Sequence, residues 1–210
     1  FRVEASKEIG YGHLNRCINL AKFFKKKNKQ FHFILSSKYK YASFLLKKIG
    51  FKYSLIKNET DIIKKLKKND KIILDINNQI LFKKNEAYLK YVDELISIGC
   101  KVISFDDIKN TLPNSSISII PYLGSENIKI YKTNKTKLLI GSKYFVFDDK
   151  ILDTPKNIIK KKVNRIFLCM GGTDPNFYIE RIIKILIRYK TILYLDIVIA
   201  KIDIERKKKL

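Results

Sequence analysis

Short apolar runs alternate with amphipathic segments along almost the whole chain, and this alternation leaves few folds open. "FHFILS" (31–36), "KIILDI" (71–76), "KVISFD" (101–106) and "SISIIP" (116–121) read as buried strands. Between them, Leu14, Cys17, Ile18, Ala21 and Phe24 recur at helical spacing, as do Tyr88, Val92, Leu95 and Ile96. "YASFLLKKIGF" predicts a helix closed by Gly50 as its C-terminal cap. Strands and helices in alternation predict an α/β fold, a parallel sheet with helices on both faces. The chain shows no internal repeat.

The regularity loosens from Pro121 to about Lys162, where "LGSEN", "KTNKTK" and "LDTPKNIIKKK" mix turn residues with charge, as an interdomain connection would. A new strand then begins at "RIFLCM" and runs into "GGTDPNF". It is followed by a helical pattern through Ile179, Ile182, Ile183 and Leu186 and by a further strand, "ILYLDIVIA". The expected organisation is a domain over 1–150, a linker over 151–162 and the start of a second α/β unit over 163–210. The chain has no initial Met and ends soon after an apolar run, so a fragment of a longer protein is expected, lacking a few residues in front and more behind.

Composition narrows the classes. The formal net charge of +24 raises nucleic-acid binding as a reading. Against it, Arg occurs only at 2, 16, 165, 181, 188 and 206, and Lys is dispersed over predicted helix faces rather than gathered with aromatics. A solvated Lys surface, in a chain rich in Lys, Asn and Ile, accounts for the charge better than a specific nucleic-acid site. Cys17, Cys100 and Cys169 are odd in number and form no CxxC pair, which fits reduced thiols and argues against a disulfide framework or structural zinc. No apolar run approaches the ~20 residues of a membrane span, and no signal peptide is visible. A cytoplasmic protein is expected.

Two glycine-rich turns carry the chemistry. "EIGYGHLNRC" and "MGGTDPNF" each join a predicted strand to a predicted helix, at the sheet edge where open α/β folds bind ligands. Gly10 and Gly12 permit positive φ and close backbone approach, and amides of the following helix favour a phosphate. His13 falls in the first turn of that helix, where the dipole favours a neutral ring able to accept a proton. The plainer alternative is that His13 caps the helix. In the second turn Gly171, Gly172 and Thr173 repeat the arrangement, and Asp174 before Pro175 can cap the next helix. The first pattern is neither GxGxxG nor a Walker loop, so dinucleotide and P-loop NTPase readings find no support.

Acidic residues end two strands: Asp75 in "LDIN" and Asp106 and Asp107 in "FDDIKN". Adjacent acids can hold a divalent ion, but the pattern is not D-x-D-x-T and no His lies nearby. Capping or a substrate-hydroxyl contact is the preferred reading. His32, inside an apolar strand, reads as a core residue. There is no Gly-x-Ser-x-Gly elbow and no Cys–His pair.

Taken together, these residues resemble the UDP-2,4-diacetamido-2,4,6-trideoxy-β-L-altropyranose hydrolase family, whose opening reads R-x-D-x-S-x-x-I-G-x-G-H-x-x-R-C-x-x-L-A. Arg2, Ser6, Ile9, Gly10, Gly12, His13, Arg16, Cys17, Leu20 and Ala21 match it. "FDDI" is similar to the family's central DD turn, "LLIGSKYFVFDDKI" to its "LLGPKYALLRPEF" stretch, and "MGGTDPNF" to its "GGxDPxN" loop. Glu4 stands where the family has Asp, the arginine of "LRPEF" is missing, and Asn77 stands where an aromatic is common.

The resemblance implies a GT-B fold: a Rossmann-like N-terminal domain and the beginning of a second, nucleotide-binding one. It implies a metal-independent hydrolase, without cofactor, that removes UDP from the anomeric carbon of a diacetamido-trideoxy sugar on the route to pseudaminic acid. His13 would be the general base. Gly10, Tyr11, Gly12, Arg16, Asp75, Asp107, Gly171, Gly172, Thr173 and Asp174 form the expected substrate-binding set, with the diphosphate on the glycine-turn amides. The expected partner is a UDP-sugar, with no specific nucleic acid and no membrane span, and the protein is expected to be a monomer. A GT-B glycosyltransferase passing the sugar to an acceptor is the rival within this fold. A basic nucleic-acid or acidic-polymer binder is the rival outside it.

Overall fold

A computed structural model describes residues 1–6, 9–38, 40–77, 81–82, 84–105, 114–127, 136–152, 154, 161–171, 174, 176–189 and 194–199. Seven parallel strands form one sheet: β1 (Arg2–Val3), β2 (Phe33–Ser36), β3 (Tyr53–Ile56), β4 (Lys71–Asp75), β5 (Lys101–Phe105), β6 (Ile117–Ile120) and β7 (Lys137–Ile140). Their order across the sheet is β3-β2-β1-β4-β5-β6-β7. The chain thus walks outward from β1 to β3, crosses back, and walks outward again from β4. This is a Rossmann-like sheet whose strand order reverses between β1 and β4.

Helices cover both faces, as strand alternation requires. On one face, Val3, Phe33, Leu35, Ile73 and Phe105 pack under α1 (Gly12–Lys26) and α2 (Lys40–Lys48). On the other, Ile34, Ile72, Leu74 and Val102 pack with α3 (Thr60–Ile63) and α4 (Asn85–Ser97). Helix α1 buries Leu14, Cys17, Ile18 and Ala21, a stripe at i, i+3, i+4 and i+7, and carries Lys25 and Lys26 in its last turn, where they complement the dipole. In α4 the same spacing buries Tyr88, Tyr91, Val92 and Leu95. Two short acidic contacts tie the far end of the sheet to α1: Lys22 Nζ lies 2.8 Å from Asp148, and Lys26 pairs with Asp149 at the start of α5 (Asp149–Leu152).

Two expectations need correction here, and one strand comes in addition to them. The stretch after Pro121 is more than a connection, because it supplies β7, hydrogen-bonded to β6 over Lys137–Ile140. Strand β3 was not anticipated; only Ile56 of its four residues is buried, so its apolar signal is weak. His32 is no core residue: it precedes β2, is exposed, and its Nε2 lies 2.7 Å from Ser54 Oγ.

Beyond the large sheet, β8 (Arg165–Cys169) and β9 (Tyr194–Val198) form a separate parallel pair, with α6 (Tyr178–Leu186) between them in sequence. Arg165 and Asp196 form an exposed fork across this pair, Nε to Oδ2 at 2.5 Å and Nη2 to Oδ1 at 3.1 Å.

Candidate active site

The loop after β1 closes on itself before α1 begins. Gly10 N–H donates to the Ser6 carbonyl at 2.9 Å and Ile9 N–H to Ser6 Oγ at 3.1 Å. Gly10 sits at φ +81°, a conformation that glycine adopts without a Cβ penalty. Gly12 does not share it. It is the first residue of α1 with an ordinary helical backbone, and a Cβ built on it meets nothing within 4 Å outside its own helix and neighbours. It borders open space and takes no left-handed turn. Tyr11 occupies the N-cap position without a side-chain capping bond, its ring 4.6 Å from that of Tyr41. No acidic residue occupies the first turn of α1.

His13, Arg16 and Cys17 lie at i, i+3 and i+4 on one face of α1, and all three reach the same carboxylate. Asp75 ends β4, beside Val3 of β1, at the reversal of strand order. His13 Nδ1 lies 2.6 Å from Asp75 Oδ1. Arg16 grips both oxygens, Nη2 to Oδ1 at 2.6 Å and Nε to Oδ2 at 2.7 Å, while Cys17 Sγ–H donates to Oδ2 at 3.5 Å. The Arg16 guanidinium also lies over the Phe105 ring, 4.4 Å from its centroid.

Asp75 is fully buried, at 0% exposure. Burial alone pushes its carboxyl up, but the hydrogen bonds from Arg16 and His13 outweigh burial and hold it below the usual aspartate range. Burial, reinforced by the Asp75 charge, pushes the Cys17 thiol well above its ordinary value, so Cys17 stays a donor. The His13 side chain keeps 21% of its surface in solvent. A buried carboxylate behind a partly open imidazole, at the carboxyl edge of a parallel sheet, is an arrangement suited to general-base chemistry.

For Asp75 the sequence offers capping or a substrate-hydroxyl contact; its oxygens meet three side chains of α1 and lie out of solvent. Arg16 was expected in the substrate-binding set, and two of its nitrogens are bound to Asp75. Asp174 serves as the cap foreseen for it: its oxygens accept from the N–H groups of Tyr178, at 3.0 Å, and Ile179, at 3.1 Å. That carboxylate occupies the leading amides of α6. Gly171 adopts φ +74°. Asp107, Gly172 and Thr173 lie outside the described residues.

Among the described residues, no group of three His, Cys, Asp or Glu side chains is placed to hold a metal ion, and no helix is long and apolar enough to cross a membrane. A cavity of about 920 Å³, lined by Phe1, Phe24, Phe31, His32 and Lys71 among others, opens at the amino ends of the strands, the edge opposite His13.

No family model matches the chain. It is similar to the "Uncharacterized protein MJ1062" of Methanocaldococcus jannaschii, 29% identical over 188 residues, which cover 82% of this chain and 36% of that protein. It is also similar to the UDP-2,4-diacetamido-2,4,6-trideoxy-beta-L-altropyranose hydrolase of Campylobacter jejuni, 24% identical over 177 residues, 83% of this chain and 60% of that protein. Both likenesses are distant, and the chain spans less than two thirds of each relative's length.

Proposed function

We propose that this chain carries the catalytic histidine of an enzyme that hydrolyses a UDP-linked sugar. The observation that supports the reading most is the contact between a partly open His13 and a buried Asp75 at the reversal of strand order. The distant likeness to a UDP-sugar hydrolase supplies the substrate class. In this reading His13 takes a proton from water as the water oxygen bonds to the anomeric carbon. The bond from that carbon to the diphosphate oxygen breaks, its electron pair leaves with UDP, and free sugar is the second product. The leading amides of α1, where Tyr11 makes no side-chain cap bond, offset charge growing on the diphosphate. Because Asp174 already caps α6, the second glycine turn contributes through its loop amides rather than through that helix end. Residues 1–150 hold the sugar and water in this scheme, residues 151–162 connect, and the chain from 163 onward serves the nucleotide.

The test uses the full-length protein and UDP-2,4-diacetamido-2,4,6-trideoxy sugars, with UDP and free sugar measured separately. His13→Ala should lower turnover by about 10²–10⁴-fold. His13→Asn should preserve the turn without restoring the rate. Wild-type turnover in His13→Ala would remove the histidine from the mechanism. Sugar recovered on an added acceptor, rather than free, would make the enzyme a transferase.

A further inference from the structure

We infer that Asp75 is a positioning residue for His13: it holds the imidazole with its hydrogen on Nδ1, leaves Nε2 bare, and is itself held in place by Arg16 and Cys17. The inference rests on the proposed role of His13 and adds the parts that would make that role possible.

The geometry carries it in three steps. Among the described residues, the Asp75 carboxylate meets donors and the imidazole: two Arg16 nitrogens, the Cys17 thiol and His13 Nδ1. An ionised carboxylate only accepts, so the short 2.6 Å contact places the ring hydrogen on Nδ1. Arg16 Nη2 also stands 3.5 Å from Nδ1, but that distance is long for a hydrogen bond and the carboxylate contact decides the tautomer. With Nδ1 engaged, Nε2 is the ring's one basic atom, and the side chain is partly open to solvent while Asp75 is not.

Arg16 thereby takes a different part from the substrate contact expected of it. Its fork fits both carboxylate oxygens and its plane rests on Phe105, so it fixes Asp75 in rotation as well as in charge. One turn of α1 presents imidazole, guanidinium and thiol to a single acceptor on β4. Rotating or shifting that acceptor would move the ring and its tautomer together.

Long-range ¹H–¹⁵N correlation spectra of the full chain distinguish a protonated from a bare ring nitrogen, and the His13 resonances are those lost in His13→Gln. Neutral His13 should show hydrogen on Nδ1 and a bare Nε2. A neutral ring with its hydrogen on Nε2 overturns the inference, whatever the enzyme's substrate. In Asp75→Asn, a weaker acceptor of the same shape, the Nδ1–H population should fall. In the UDP-sugar assay its kcat should drop between about 10- and 10⁴-fold while KM stays close to wild type. An unchanged tautomer with unchanged kcat would overturn the inference. If Asp75→Asn fails to fold, Arg16→Lys, which keeps the charge and loses the fork, should still reduce the Nδ1–H population, and no change there counts against it. Absence of UDP release from the wild type would strike the proposed function alone, since the spectra read the Asp75–His13 contact without turnover.

Discussion

Arg2 stands in the middle of the sheet on the α4 side, opposite Ile34 and Leu74, with no exposed surface. Its Nε donates to Glu59 Oε2 at 3.0 Å, Nη2 to Glu59 Oε1 at 2.5 Å, Nη1 to the Val3 carbonyl at 3.0 Å, and Nη2 also pairs with Glu4. Replacing it by Met removes the cation paired with Glu4, whose side chain is 1% exposed and whose Oε2 already lacks a hydrogen-bond partner among the described residues. Glu59 is 21% exposed and can turn to water. Glu4 cannot, and its escape is to take up a proton. From the ordinary glutamate range near about 4.3 to pH 7 that costs about 1.4 kcal/mol per pH unit, or about 4 kcal/mol. Arg2→Met should therefore lose about 3–5 kcal/mol at pH 7, the range for stranding a buried charge.

The sign of the pH dependence follows from the same carboxyl. Burial raises Glu4 against the opposing pull of Arg2, so stability tied to its protonated form is full at low pH and is lost as pH rises through the folded-state value. Without Arg2 that loss grows, and the cost of Arg2→Met should shrink between pH 7 and pH 5, by at most about 3 kcal/mol because wild-type Glu4 is itself raised. Urea unfolding followed by circular dichroism at the two pH values measures both quantities. Adding Glu4→Gln, which keeps an acceptor for the Ser36 N–H, should recover most of the loss at pH 7. A loss under about 1 kcal/mol at pH 7, or one equal at both pH values, would refute this account of the buried charge.

Gly12→Ala should fold normally, because its Cβ enters open space in a helical backbone. It should raise KM for a UDP-sugar if the diphosphate approaches that space, while a KM equal to wild type would place the phosphates elsewhere. Asp174→Ala strips the acceptor from the Tyr178 and Ile179 amides and should cost about 1 kcal/mol. Faster hydrogen exchange over 178–186, with β4 and β5 unaffected, is the expected readout.

Local pattern made α1, α4, β4 and β5 legible, because burial on one face of a helix writes itself at a spacing of 3.6 residues and burial on both faces of a strand as a short unbroken apolar run. The alternation of those elements was enough to place a parallel sheet, and with it the glycine turn at the carboxyl edge. Strand β3 and its place in the sheet were not legible: an edge strand with one buried residue in four has little hydrophobic period to show. Nor could any local signal announce that Arg2 is buried, since a lone arginine at the chain's start reads as surface until Glu4 and Glu59 close around it. The same holds for Asp75. Sixty-two residues separate it from His13, and its neighbours in sequence are apolar residues that say only that a strand ends there. What joined the two was the crossover that returns the chain to β1's other side, and crossover order is a matter of packing whole elements, which residue spacing does not encode.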